Sequence, residues 1–310
     1  MPSTMLARIQ EKMKANIDGN FFSFPWATFP TMPELDPDPK QKGYTSHFLI
    51  PKQVTLRYVQ GWGQGVEYGT DYSTVSAFFA TDDRCYHLFP LVDLRVHRFN
   101  NNTYAANFGV GGRYVFNRGF FQLWGLNAFY DFRQGNVGNF SQVGAGIELL
   151  SKRLDFRANC YYPVGHLEKK KKFDFEKFNG GFFAFKEKVE KVEAYSFNAE
   201  VGWLAVNGKK FLLYTAIGPY ALSKRCCGNE TLGGKFRLKP QYKDYIAVDF
   251  ILSYDPLFKT VFQAEFVLNF PLYQFRARKC SNLSERQIYQ PIERFEIIPL
   301  EKRCFSESNF

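Results

Sequence analysis

Three carboxylates near the middle of the chain, Asp131, Glu148 and Asp155, could act as paired acids and bases. Each of them occupies an alternate position in a segment whose intervening positions are mostly apolar, and carboxylates are expected on the polar face of any such strand. A nucleophilic mechanism would need a base beside a serine or cysteine, and His97 and His166 lie in no recognisable setting of that kind. We therefore predict that the protein is not an enzyme and has no catalytic residues.

The six cysteines do not predict a metal site. Cys226 and Cys227 are adjacent, the other four are scattered, and no C-x-x-C spacing occurs. The GVGG run at 109–112 is not a phosphate-binding loop, because no helical pattern follows it. We expect no metal and no cofactor, and the sequence leaves the disulfide state of the cysteines open.

The formal net charge of +10 raises the question of an anionic partner. Much of the excess is local, because Lys169–Lys172 form one block that is typical of a solvated loop. Basic and aromatic residues also interleave in the run FRLK at 236–239, an arrangement that single-stranded nucleic acids can occupy. Since alternation places these aromatic rings on the apolar face of a strand, we predict no nucleic-acid partner.

The charged residues are positioned by strands, because hydrophobicity alternates with period two on both sides of Ser151. From 141 to 150 the apolar positions are Val143, Ala145, Ile147 and Leu149, and the pattern resumes at Leu154 after a short break. About twelve such strands follow one another without intervening helical patterns, most of them about 9 to 14 residues long. They are predicted at 53–62, 70–80, 88–99, 104–117, 120–132, 139–150, 153–163, 190–204, 210–222, 232–240, 244–254 and 259–270.

This order predicts an all-β, up-and-down antiparallel barrel of about twelve strands that spans a membrane. No run approaches the roughly 20 apolar residues of a membrane-spanning helix. The strands are long enough to cross a bilayer at a tilt, and aromatic residues lie near their ends, as at Tyr104 and Phe116. Alternation by itself does not say which face is inside, so a soluble β-sandwich with an apolar core stays open as an alternative.

In the barrel interpretation the polar faces line the lumen and the apolar faces meet lipid. The predicted lumen-lining residues, expected to contact a linker as a set, are Arg57, Asp93, Arg95, Arg113, Asn127, Asp131, Glu148, Asp155, Arg157, Asn159, Asn198, Glu200, Asp249 and Glu265. The predicted lipid-facing residues are Val143, Ile147, Leu149, Phe156, Phe197, Trp203, Val248, Phe250, Phe262 and Phe266.

The two ends of the chain differ from this pattern. Residues 1–50 are rich in proline and phenylalanine and are predicted to be an arm without regular structure, with no visible export signal. The barrel is expected over 51–272. Residues 273–310 are predicted to be a linker that threads the pore, and the chain is expected to lack a passenger beyond it.

The segments NAFYDF, GAGIELL and LDFRANCYYPVG together resemble the β-domain of the inverse autotransporters, the intimin and invasin family. The residues that match are Asn127, Phe129, Tyr130, Asp131, Gly144, Gly146, Glu148, Leu154, Ala158, Asn159, Tyr161 and Gly165. Weaker likeness extends across roughly 54–270, and QPIERFEIIPL resembles the segment that follows the barrel in some members.

The resemblance implies a bacterial outer-membrane translocator that anchors and exports a C-terminal passenger, usually an adhesin. It also implies membrane lipid, the chain's own C-terminal linker, the barrel-assembly machinery and a host-cell receptor as partners. Two alternatives remain open from the sequence: a plain outer-membrane pore or structural protein, and a soluble β-sandwich binding module.

Overall fold

The structure is a computed structural model that describes residues 51–62, 71–81, 88–116, 121–177, 183–192, 195–208, 210–223, 230–272 and 285–308. The predicted arm at 1–50 lies outside the described residues. In the part that is described, no helix is long and apolar enough to cross a membrane.

The described residues form fifteen strands and one short helix. They are β1 (Gln53–Trp62), β2 (Tyr72–Ala80), β3 (Leu88–Phe99), β4 (Tyr104–Val115), β5 (Leu123–Gln134), β6 (Asn139–Leu150), β7 (Leu154–Val164), β8 (Glu168–Lys177), β9 (Phe183–Lys191), β10 (Tyr195–Asn207), β11 (Phe211–Ser223), β12 (Glu230–Tyr242), β13 (Ile246–Asp255), β14 (Lys259–Pro271), α1 (Glu285–Tyr289) and β15 (Glu301–Ser308).

Twelve of these strands close into a barrel, in the order β1 to β7 followed by β10 to β14. Every neighbouring pair in the ring is antiparallel, and the ring closes because β1 pairs with both β2 and β14: Arg57 lies opposite Thr74 on one side and Val267 on the other. The predicted up-and-down barrel is therefore confirmed. The soluble sandwich is wrong, because a sandwich has no such closure.

The orientation of the side chains follows the alternation of each strand. In β5 the odd-numbered residues from Leu123 to Asp131 are buried and the even-numbered ones are exposed. Leu126 is 68% exposed, whereas Asp131 is completely buried. A protein dissolved in water would show the reverse, so the barrel carries its apolar face outward and its ionic face inward.

Exposed aromatic residues mark both ends of this apolar outer surface, as expected at the two interfaces of a bilayer. One ring of them contains Trp62, Tyr104, Tyr130, Tyr162, Tyr195 and Tyr254. The other ring contains Tyr114, Phe116, Trp124, Trp203, Phe211, Tyr242, Tyr245 and Phe270.

We call the end of the barrel where β1 begins and β14 ends the proximal face, and the opposite end the distal face. Tight turns at 151–153 and 243–245 lie on the proximal face. On the distal face, the connection between β7 and β10 forms the hairpin of β8 and β9, and β15 pairs with β9 to make a separate three-stranded sheet. Residues 190 and 191, predicted to begin a barrel strand, belong to β9, and the barrel strand begins at Tyr195.

Residues 285–300, which we call the luminal segment, run through the barrel between these faces. Near the proximal face, Ile288, Tyr289 and Ile292 pack with apolar residues at the ends of β2 to β6. Near the distal face, Ile297 packs among the ends of β1 to β4, while Ile298 packs with Phe140, Val192 and Leu300. The chain therefore passes from the proximal to the distal face before it enters β15.

Candidate functional site

The barrel lumen is the candidate site, because it holds both the ionic residues of the wall and the luminal segment. All fourteen residues predicted to line the lumen occupy inward positions, and thirteen of them are buried while Arg57 is partly exposed. All ten predicted lipid-facing residues occupy outward positions, where Leu149, Phe156 and Val248 are partly exposed and the others exposed.

Arg294 of the luminal segment binds Asp131 of β5 through two parallel hydrogen bonds, Nη1 to Oδ1 and Nη2 to Oδ2, each 2.6 Å long. Asn107 and Gln142 also donate to the same carboxylate, at 2.7 and 2.9 Å. The guanidinium carbon of Arg294 lies 4.2 Å from the centre of the Phe129 ring. A bidentate pair supported in this way fixes both the position and the orientation of the arginine.

Glu296 of the luminal segment is held by two arginines from different strands. Arg57 of β1 and Arg95 of β3 each donate to one of its carboxylate oxygens. Both arginines also have a second carboxylate on the wall: Arg57 lies 3.3 Å from Glu265, and Arg95 donates to Asp93 at 2.9 Å. The buried charges thus form a paired network, which is the condition for keeping ions inside a protein.

Glu293 binds a different part of the wall, on β12. Its carboxylate accepts a hydrogen bond from Arg237 of β12 at 2.8 Å and one from Lys239 at 3.1 Å. Arg237 is in turn held by Asp249 of β13, whose oxygen accepts from its Nε at 2.7 Å. The charged side chains at 293, 294 and 296 therefore each meet groups of opposite charge, and they do so on different strands of the barrel.

Phe295 fills the space between two inward tyrosines. Its ring stacks on Tyr161 with a centroid distance of 5.9 Å and meets the edge of Tyr220 at 5.9 Å. The backbone N–H of Phe295 donates to the Tyr161 hydroxyl at 2.8 Å. The ammonium of Lys235 lies 4.8 Å from the centre of the same ring. Phe295 is thus packed on several sides and anchors the luminal segment against β7 and β11.

Main-chain carbonyls of the luminal segment are bound by side chains of β3, β4 and β5. Arg113 donates to the carbonyls of residues 288 and 290, at 2.7 and 2.6 Å. Arg95 donates to the carbonyl of residue 292, Asn107 to that of residue 296 at 2.8 Å, and Arg133 to that of residue 298. These bonds satisfy main-chain carbonyls at the end of α1 and in the irregular stretch that follows it.

Other predicted lumen residues contact groups of the wall on the same strand, on the neighbouring strand or on the next strand but one. Arg157 donates to Asp155 at 2.9 Å and to the Tyr214 hydroxyl at 2.6 Å. The amide of Asn159 donates to Asn198 at 2.9 Å, and further pairs link Glu148 to Arg113 and Glu200 to Lys235. Of the fourteen residues, Arg57, Asp93, Arg95, Arg113 and Asp131 make the hydrogen bonds or ion pairs to the luminal segment described here.

Two glycines of the G-x-G-x-E run make room on the inner wall. A Cβ at Gly144 would lie 2.9 Å from Nη2 of Arg294, and one at Gly146 would lie 2.2 Å from Oδ1 of Asn159. The spacing that carries the family resemblance therefore serves packing: Gly144 leaves space for the guanidinium of the luminal segment, and Gly146 leaves space for the amide of the next strand.

Several contacting residues were absent from the sequence-based prediction. They are Asn107, Arg133, Tyr161, Tyr220, Lys235, Arg237 and Lys239. Their positions in the sequence could have identified them, because each occupies an inward-facing alternate position of its own strand. Arg237 and Lys239 alternate with outward Phe236 and Leu238, which accounts for the interleaving of basic and aromatic residues there.

The luminal segment leaves little free volume. A polar cavity of about 90 Å³ lies between it and the wall of β1 and β12 to β14, with Thr55, Gln241 and Asn269 among its lining residues. This is room for a few water molecules. Among the described residues, no group of three or more histidine, cysteine, aspartate or glutamate side chains could hold a metal ion.

A closed antiparallel barrel of twelve strands, with an apolar outer belt between aromatic rings and an ionic interior, defines the class of the bacterial outer-membrane β-barrel proteins. Residues 59–182 match the family model described as inverse autotransporter, beta-domain. The resemblance predicted from the sequence is therefore confirmed, and with it the localisation in the bacterial outer membrane.

A solved structure with a TM-score above 0.5 has the same fold. A membrane protein from a study of in-meso crystallization superposes with a TM-score of 0.52 at 13% identity, over 81% of this chain and 100% of that one. The KdgM porin has a TM-score of 0.40 at 6% identity, over 70% and 99% of the two chains. An outer-membrane channel from Pseudomonas putida F1 has a TM-score of 0.42 at 10% identity, over 76% and 100%. No curated protein matches the chain.

Proposed function

We propose that this protein is a translocator domain, which anchors a C-terminal polypeptide in the outer membrane and carries it to the cell surface through its own lumen. The exported polypeptide would be a passenger of the adhesin type that follows the described chain. Membrane lipid and the luminal segment are its direct partners. Assembly of the barrel by the barrel-assembly machinery and binding of a host-cell receptor by the passenger are further parts of this proposal.

The observation that carries the proposal is the path of residues 285–300 through the closed ring. The segment is held from one face to the other by groups that match its own charges, and the chain then pairs with the distal hairpin as β15. Outer-membrane barrels have short turns on the periplasmic side and longer connections outside. The β8–β9 hairpin therefore favours the distal face as the extracellular one, and the chain would leave the lumen there.

An accessibility experiment tests this role. An epitope is fused after Phe310, and the chain is produced in bacteria with an added secretory signal. The proposal predicts that antibody binds the epitope on intact cells and that external protease removes it. A matched control carries the same epitope in the proximal turn at 151–153, where antibody should bind only after permeabilisation. If the fused epitope also needs permeabilisation while the barrel is assembled, export through the lumen is refuted.

A plain pore is the second candidate, because the inner wall is polar and charged as in a water-filled channel. The two functions differ in conductance. A barrel plugged by residues 285–300 should conduct almost no current in planar bilayers, whereas an open porin of twelve strands should give steady, large conductance steps. Steady conduction by the folded full chain would favour the pore over the translocator.

A further inference from the structure

The five carbonyls of the luminal segment that wall side chains bind belong to residues 288, 290, 292, 296 and 298, all of even number. The donors run from Arg113 near the proximal face to Arg133 near the distal face, and between them Arg95 and Asn107 lie opposite each other on β3 and β4. The carbonyls of 288 and 290 lie at the end of α1, and those of 292, 296 and 298 lie in the stretch without helix or strand that follows it. The stretch from 292 to 298 spans at most roughly 20 Å. Wall side chains thus bind the backbone of the luminal segment from the end of α1 to residue 298 near the distal face.

Carbonyls are common to all residues, so this set of donors does not depend on which sequence occupies the lumen. An extended chain repeats its orientation every two residues. If such a chain moves along the lumen by two residues, the next carbonyls of the same parity arrive at Arg95, Asn107 and Arg133. A move by one residue presents the opposite edge instead and breaks the set of hydrogen bonds.

The charges of the luminal segment select one position among these equivalent ones. A shift of two residues toward the distal face would bring Arg294 to the place of Glu296, between Arg57 and Arg95. A shift of two residues toward the proximal face would bring Glu296 to the place of Arg294, beside Asp131. Both neighbouring positions therefore bring like charges together in a buried site and leave other ions without a partner.

We propose that the wall formed by β3, β4 and β5 is a binding track for the main chain of a passing extended polypeptide, which advances along it in steps of two residues. Glu293, Arg294 and Glu296 form the stop that fixes the final register when they reach Arg237, Asp131 and the Arg57–Arg95 pair. The ligand of the track is any unfolded chain in extended conformation, and the stop is specific to this order of charges. This inference rests on the proposed role in export.

Cysteine cross-linking measures the register directly in the full chain. Ala105 and Ile297 belong to one buried cluster, and Arg133, which lies opposite Ala105 in the register, binds the carbonyl of residue 298. Ala105→Cys should therefore form a disulfide with Ile297→Cys in a chain whose six native cysteines are replaced by serine. Separate chains carry the second cysteine at 295, 296, 297, 298 or 299. With the natural charges, the cross-link should be strong at 297 and at least tenfold weaker at the other four positions.

Two variants then separate the stop from the track. In the first, residues 293–298 change from ERFEII to IIERFE, which moves the charges by two positions while the composition is kept. The strong cross-link should move from 297 to 299. In the second, Glu293→Gln, Arg294→Gln and Glu296→Gln remove the stop, and the cross-link should spread over 295, 297 and 299 while 296 and 298 stay weak.

A cross-link that stays at 297 in the first variant contradicts the stop. Equal cross-linking at odd and even positions in the second variant contradicts the track. The first variant retains all its charges and can pair them, so it still tests the stop if the neutral variant does not fold. The accessibility of an epitope fused after Phe310 is measured in the same chains. If the epitope never reaches the surface but the cross-links keep their period of two residues, export is refuted and the binding track is not.

Discussion

Arg294 and Asp131 join the luminal segment to strand β5 by two parallel hydrogen bonds of 2.6 Å, inside a wall where both side chains are almost completely buried. The two residues are 163 positions apart in the sequence. The same carboxylate also accepts from Asn107 and Gln142 of the wall, so Arg294 is bound by a group that the wall itself holds in place.

Removing the arginine should therefore release the luminal segment. Arg294→Met leaves the carboxylate of Asp131 buried without its charged partner, and the loss of one member of a buried pair costs about 3–5 kcal/mol. We expect a lower free energy of unfolding in urea and measurable conductance in planar bilayers. Lys170→Met removes a surface lysine that pairs with Glu168 on the hairpin, and it serves as the control that changes neither quantity. Equal behaviour of the two variants would contradict the role given to Arg294.

A side chain at Gly144 should disturb the same site from the wall. The Cβ of Gly144→Val would lie 2.9 Å from Nη2 of Arg294 and 3.2 Å from Cδ1 of Tyr161. Because Asp131 holds the guanidinium in place, we expect overpacking to cost about 1–3 kcal/mol of the free energy of unfolding. Gly112→Val is the matched control, since its Cβ would lie 3.5 Å from Cδ1 of Leu88. A larger loss for Gly112→Val would exclude this account of the glycine.

The pairing of β15 with β9 can be tested by a native cysteine. Lys188 lies opposite Cys304 in the register, and facing residues of antiparallel strands have Cα atoms about 4.5–5.5 Å apart, within reach of a disulfide. Lys188→Cys should therefore form a bond with Cys304 under mild oxidation, mapped by peptide mass spectrometry. Glu187→Cys lies opposite Phe305 and should not bond to Cys304. Cross-linking from both positions alike would mean that the two strands are not paired as described.

The barrel could be predicted from the sequence because the alternation that specifies each strand lies within a short stretch of residues. Each strand repeats its inward and outward positions every two residues, and the turns between strands are short, so neighbours in sequence become neighbours in the ring. Leu126 and Asp131, on opposite faces of β5, follow from this rule alone. The hairpin of β8 and β9 was harder to predict, because charged residues occupy both of its faces and the alternation of apolar and polar residues is lost.

The pairing inside the lumen could not be predicted in the same way. Glu293 pairs with Arg237, Arg294 with Asp131 and Glu296 with Arg57. In each pair the two residues are far apart in the sequence, and they meet only when the ring has closed around the luminal segment. Alternation gives the inward direction of a side chain but not its height in the barrel relative to the luminal segment. Residue types and strand positions therefore indicate which face of a strand a residue occupies, while its partners require the register of all twelve strands.

The outer surface should be sensitive to charge at mid-strand. Val248 occupies an outward position in β13, between exposed Ile246 and Phe250, and it lies within the apolar belt that Tyr245 and Tyr254 bound on this strand. Val248→Arg would place a cation in hydrocarbon, which costs about 2–4 kcal/mol near the bilayer midplane. We expect this loss in the free energy of unfolding measured in lipid vesicles. Val248→Leu keeps the surface apolar and should stay close to the natural chain. If the arginine were tolerated as well as the leucine, position 248 would not face lipid.

The ring of Phe295 should contribute more than an equal ring on the outer surface. Phe295→Ala leaves a cavity between Tyr161 and Tyr220, and the loss of a buried phenylalanine ring costs about 3–5 kcal/mol. Phe236→Ala removes an outward ring that is 46% exposed, where lipid can fill the space, so its cost should be smaller. Both variants are compared by urea unfolding and by conductance. Because Phe295 is one of the anchors of the luminal segment, only Phe295→Ala should also raise the conductance; a rise in both, or in neither, would show that the ring does not hold the segment in place.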